Sequence, residues 1–288
     1  MYVNVGNAPA WIESKIQWWL DRVEDPNNLV FKVTSWIGNH LVQYGLQPLL
    51  NFFSQTPAPV MLGGLALIAL LLSGWRPAVT TFAMLCVIGV LGEWENGMNT
   101  ASQVVVSLVL AMLVAFPIGV WVAESKRAEK AIRPVLDMLQ TLPQLVYLIP
   151  FVYLFPISYV PGIIAAVLYA APVVIRLVSA GIRDVPANTV EAAESFGASR
   201  GQVLLKVKIP LAREAIMLGV NQGIIMVLAV VVIGGLVGSP GLGYEVAQGL
   251  GRSDFGLGVI ASLAILALGI ALDRVTKSVR TPRPERSV

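Results

Sequence analysis

Long apolar runs alternate with short polar islands along this chain. The apolar runs fall at roughly 59–75, 77–92, 101–123, 135–155, 161–182, 215–237 and 257–273. A helix needs about 20 mostly apolar residues to cross a bilayer core, so the pattern predicts an all-α integral membrane protein with about seven transmembrane helices. The first two runs are short and share a tight turn at Gly74-Trp75-Arg76-Pro77, which leaves six spans as the alternative. Residues 1–57 follow a different rhythm. Ile12, Ile16, Trp19, Leu20 and Val23 recur on one helical face, with Asn7 as a candidate cap and Pro9 in the first turn. A second amphipathic run, Val30, Val33, Ile37 and Leu41, follows the break at Asp25-Pro26-Asn27-Asn28. Trp11, Trp18, Trp19 and Trp36 suit a headgroup region, where a ring is half apolar and half wet. This segment reads first as an anchor and second as a platform for an external partner.

Composition agrees with a membrane location. Hydrophobic residues make up 56% of the 288, charged residues 13% against about 25% in soluble domains, and the mean hydropathy is +0.73. The distribution of Lys and Arg sets an orientation. With the N-terminus outside and the C-terminus inside, 16 of the 20 basic residues reach the cytoplasmic side. They include Arg76, the Lys126-to-Arg133 island, the 183–213 island and the tail from Arg274. Only Lys15, Arg22, Lys32 and Arg252 stay outside. That partition accounts for the net charge of +3, and no basic stripe with interleaved aromatics points to nucleic acid.

Several chemistries lack their residues. One His (His40) and one Cys (Cys86) offer no metal constellation, and no Ser/His/Asp or paired-carboxylate spacing suggests an enzyme. The Gly-rich stretch Gly238 to Gly258 has no Walker ending, and reads as a gating loop or a connector. No carboxylate occupies the middle of a span, which argues against an ion-driven carrier. Asp137 and Arg176 lie near the cytoplasmic ends of the fourth and fifth spans, where Arg176 can snorkel or pair with Asp137 across helices. Those two spans carry Pro134, Pro143, Pro150, Pro156, Pro161 and Pro172. Broken backbone in lipid faces protein or a watery cavity, so the fourth span is either kinked at a helix contact or set against a pathway.

The polar island Glu191 to Pro210 is the most specific feature. Glu191, Ala192 and Ala193 are followed after three residues by Gly197, and after nine more by Val207-Lys208-Ile209-Pro210. Small Ala192 and Ala193 can seat a helix closely in a protein cleft, with Glu191 making polar contacts at its rim. Gly197 permits a turn or a close backbone approach. This pattern resembles the EAA loop of the membrane subunits of binding-protein-dependent ABC importers, with Val207 and Ile209 as aliphatic departures from the usual pair.

From Thr100 to Lys277 the chain is further similar to permeases of glycine betaine, proline betaine and choline importers. The resemblance is carried by Leu136-Asp137-Met138-Leu139-Gln140-Thr141-Leu142-Pro143, Gly181 to Pro186, Ala192 to Ala198 and Asn221-Gln222. It implies an ATP-driven permease that works by alternating access in a bacterial inner membrane. Two copies of an ATP-binding subunit carry the ATP and Mg, so this chain binds no cofactor itself. An extracytoplasmic solute-binding protein and a second permease copy complete the assembly. The implied divisions are an external segment 1–57, two accessory helices over 58–95, a transporter core over 96–275 with the coupling loop at 183–213, and a cytoplasmic tail 276–288. Other small solutes (trimethylamine oxide, carnitine, an amino acid) and an ATPase-independent channel or carrier are the alternatives. No residue is assigned to substrate.

Overall fold

The computed structural model describes residues 9–155 and 159–277, and every regular element among them is helical. The Asn7 cap and most of the tail lie outside the described residues. Helices α1 (Ala10–Glu24) and α2 (Leu29–His40) form the amphipathic segment. Asn28 caps α2 by accepting from the Val30 N–H, so the polar break ends where the sequence placed it. A wide turn, Leu41–Leu46, continues α2 into α3 (Gln47–Gln55). The following α4 (Ala58–Ser73) is turned 115° from this run. Gly74, at a φ of 84°, then starts α5 (Trp75–Val90).

Among the described residues, four helices are each long and apolar enough to span a membrane. They are α6 (Trp94–Glu124), α9 (Tyr159–Arg183), α13 (Arg213–Gly234, prolonged by a single 3-10 turn) and α15 (Phe255–Lys277). Counting each sharply bent helix pair as one span raises the number to six, and α5 is a further, shorter apolar helix.

The expected fourth span, 135–155, is not one helix. It divides into α7 (Lys126–Thr141) and α8 (Gln144–Leu154), bent by 96°. Pro143 has no N–H to give and forces Leu142 into an extended conformation (φ −74°, ψ 133°), so α7 stops and α8 starts afresh. The stretch 238–258 also departs from a plain connector, because it contains α14 (Leu242–Gly251).

Three helices make the centre. Val104 and Ala111 of α6, Ala165, Ala166 and Ala170 of α9, and Ile224, Val227 and Val231 of α13 share one buried cluster, which Tyr147 and Leu148 of α8 close. The alanines of α6 and α9 let the backbones approach closely, as packing within lipid favours. A second cluster joins α4, α5, α14 and α15 through Met61, Leu85, Ile88, Leu242, Ala264 and Leu268. At the opposite end of the core, Ala115, Val122, Leu136, Val174, Ile182 and Ala212 form the floor on which the 183–213 loop sits.

Candidate functional site: the 183–213 loop

Local chemistry writes this loop's conformation. Helix α10 (Ala187–Ser195) begins directly after Pro186 and carries Glu191, Ala192 and Ala193 in its second half. It ends with paired hydrogen bonds: the Ala198 N–H donates to the Ala193 carbonyl (3.1 Å) and the Gly197 N–H to that of Glu194 (2.9 Å). This is a Schellman turn, which requires a left-handed residue one position past the helix. Gly197 supplies it at a φ of +81°. The spacing of the motif follows, since the last alanine offers the carbonyl that closes the turn and the glycine four residues on reverses the chain.

Ser199 then starts a new helix with a reciprocal capping box. Its N–H donates to Gln202 Oε1 (2.8 Å), while the Gln202 N–H donates to Ser199 Oγ (3.4 Å). Helix α11 (Arg200–Val203) continues through a wide turn, Leu204–Lys208, into α12 (Ile209–Leu211), where Pro210 occupies an early helical position that tolerates its missing N–H.

The motif residues divide into two groups. Val207 and Ile209 are half-buried, and Ile209 packs with Leu204 on the floor cluster, fixing the loop to the bundle. Glu191, Ala192 and Gly197 face outward, with Ala193 and Pro210 at the edges. Nothing lies within 4 Å of where a Gly197 side chain would begin. The glycine therefore answers a backbone demand and leaves open space beside it. Lys208 reinforces the attachment by an ion pair to Glu124 at the end of α6 (2.7 Å). Glu191 lines a recess of about 320 Å³ between the loop and the ends of α6 and α9.

Sequence reasoning passed over Phe196. It is 93% exposed at the tip of the turn, between Ser195 and Gly197, and Leu205 and Leu211 are exposed nearby. A lone aromatic in a polar island was the available signal.

Ion pairs organise the same end of the bundle. Arg176 of α9 donates to Asp137 of α7 (2.5 Å), so the two residues singled out near span ends do meet. Arg183 donates to Glu129 (2.7 Å) and to the Val122 carbonyl (3.3 Å), tying α6, α7 and α9 together. That hydrogen bond, ahead of the neighbouring positive charges, holds the Glu129 carboxyl in the first turn of α7 below the usual carboxylate range.

At the other end, Gln103 is 1% exposed and bridges α6 to the start of the 238–258 stretch. Its Nε2 donates to the Pro240 carbonyl (2.7 Å) and its Oε1 accepts from Ser239 Oγ (2.8 Å). Thr100 Oγ1 accepts from the Leu242 N–H (2.9 Å). Gly235 lies against the backbone of Gly243, leaving no room for a side chain.

A bundle of long apolar helices that carries an outward-facing polar loop is the arrangement of a polytopic membrane protein. The chain belongs to the family of inner membrane components of binding-protein-dependent transport systems, whose pattern it matches over residues 115–280. It is 42% identical over 254 residues to the glycine betaine/proline betaine transport system permease protein ProW of Escherichia coli, covering 85% of this chain and 72% of that protein. To the glycine betaine/carnitine transport permease protein GbuB of Listeria monocytogenes it is 40% identical over 204 residues, covering 71% and 72%. Its fold is similar to a chain of the MetNI methionine ABC transporter in an inward-facing conformation. The TM-score is 0.56 at 20% identity, covering 66% of this chain and 96% of that one. It is a permease subunit of an ABC importer.

Proposed function

We propose that this permease moves glycine betaine, proline betaine or a related quaternary amine inward, driven by a separate ATP-binding subunit docked on the 183–213 loop. The observation that carries the reading is the preformed loop. Its turn is fixed by the glycine and the capping box, its base is anchored by Ile209 and Lys208, and it exposes Phe196 at the tip and Ala192 and Glu191 on α10. A surface held this rigidly suits the transmission of movement between subunits. The solute assignment leans on the names of the related permeases, ProW and GbuB.

In this reading the N-terminus is outside, the loop and C-terminus are cytoplasmic, two permease copies flank one pathway, and each receives an ATP-binding subunit, which holds the ATP and Mg. An extracytoplasmic binding protein delivers the solute to the face that carries α3, the start of α6 and α14. The segment before residue 58 anchors that face in the headgroup region, and residues 58–95 are accessory to the transport core.

The test is ATP-dependent uptake of labelled glycine betaine in cells stripped of their own osmolyte importers, expressing this chain with its ATP-binding subunit and binding protein. Uptake is expected, and it is lost in Gly197→Asp while the complex still assembles. Normal uptake by an assembled Gly197→Asp complex overturns the coupling role. No uptake by an assembled wild-type complex overturns the solute assignment and moves the search to carnitine, choline and trimethylamine oxide.

A further inference from the structure

A cleft between α7 and α9 has a chemistry that lipid cannot accommodate. Asp137 and Arg176 form its centre, and in the single chain their side chains remain 56% and 44% exposed. Arg176 lies seven residues before the end of α9, roughly 10 Å in from that end at 1.5 Å per residue. Asp137 lies beside it at ion-pair distance, and a charge turned toward hydrocarbon is strongly disfavoured. Charged groups in spans face a water-filled cavity or another polypeptide. The cleft has the dimensions of a cavity: about 340 Å³, also lined by Arg133, Glu129, Arg183 and Ser179. That is within the range of about 300–1,000 Å³ typical of small-molecule sites.

The charge arrangement narrows the ligand class. A guanidinium and a carboxylate side by side satisfy each other when the cleft is empty, so neither charge is left alone. A small zwitterion can take both places at once, with its carboxylate on Arg176 and its cationic end against Asp137, without burying any net charge. A purely cationic or anionic solute would leave one member of the pair unmatched, a costly state away from bulk water. Three arginines facing two carboxylates further favour a ligand that carries a carboxylate.

We propose that this cleft is part of the aqueous translocation pathway and that Asp137 and Arg176 form a docking pair for the two ends of a zwitterionic solute. The inference rests on the transport reading above and assigns that reading substrate-contacting residues. The pair opens as the solute enters and closes behind it, so passage through this point moves no net charge.

The experiment uses the assembled importer with Cys86→Ser and Ser179→Cys, which places a thiol in the cleft wall. A polar methanethiosulfonate reagent should label this cysteine, and millimolar glycine betaine should slow the labelling at least threefold. Choline, which has no carboxylate, should protect less. Arg176→Gln and Asp137→Asn should each abolish protection while labelling persists. Absence of labelling, or protection that survives both neutralisations, overturns the proposal. Uptake measured on the wild-type complex separates the two failures. Wild-type uptake without protection sinks the docking pair alone, whereas no uptake of glycine betaine by the assembled wild-type complex sinks the solute assignment.

Discussion

Replacing Gly197 by alanine separates backbone conformation from side-chain contact in the 183–213 loop. The residue sits at a φ of +81° with open space where a side chain would begin, so alanine meets no atom of the chain. Its cost is conformational. An L-residue in the left-handed region costs roughly 1–2 kcal/mol, which lowers the population of the native turn by about 5- to 30-fold relative to competing loop conformations. Both hydrogen bonds of the Schellman turn depend on that conformation, so the exposed tip at Phe196 is displaced when it is lost. Asparagine tolerates the left-handed region better than alanine. Uptake should therefore fall in the order glycine, asparagine, alanine at this position. Gly197→Asn retains a substantial share of transport, and Gly197→Ala loses about tenfold, the middle of the range set by the backbone cost. The assay is uptake per assembled complex, alongside ATP hydrolysis, which should continue without transport in the alanine variant. Full transport by Gly197→Ala refutes the argument. Equal loss in both variants refutes its backbone part and assigns the defect to a side chain meeting the partner.

Three other outcomes follow from the geometry. Phe196→Ala should leave thermal stability within about 0.5 kcal/mol of wild type, as expected for an exposed site away from special features, yet reduce co-purification of the ATP-binding subunit; unchanged co-purification removes Phe196 from the contact. Gln103→Leu leaves Ser239 Oγ and the Pro240 carbonyl without their buried partner and should cost about 1–3 kcal/mol in thermal unfolding, and a neutral result would mean that the 238–242 turn does not depend on α6. Gly235→Ala sets a methyl group against the Gly243 backbone and should destabilise by roughly 1–3 kcal/mol through overpacking, measured by the same melt.

Much of the fold was legible because apolar runs in a membrane protein have few alternatives to helix. Each of the seven runs is helical, and the break before α2 lies where Asp25-Pro26-Asn27-Asn28 placed it. The prolines marked the fourth span for a kink, but its sharpness and its place at Leu142-Pro143 were not legible, because hydropathy averages over it, with apolar residues continuing on both sides. Only the proline's effect on its neighbour stops the helix, and tertiary packing sets the angle. Gln103 was unreadable for another reason: a glutamine in an apolar helix has meaning only beside Pro240, 137 residues away. The motif residues were found by spacing, while the division between anchoring Ile209 and presented Glu191 and Gly197 depends on which side of the loop meets the floor cluster. The Asp137–Arg176 pair stood between these cases, because both charges were conspicuous but only the helix arrangement decides that they meet.

The loop has no slack at either end. Three residues separate the end of α9 at Arg183 from the start of α10, and Ala212 alone separates Leu211 from the start of α13. Helices α9 and α13 are also two of the three that form the central cluster. A displacement applied at the tip therefore acts on a short, stiff crank whose two arms are the middle of the molecule. If the loop couples as proposed, the same economy makes the permease sensitive to length: even a single flexible residue inserted at 184–186 or beside Ala212 would let the crank turn without moving α9 and α13.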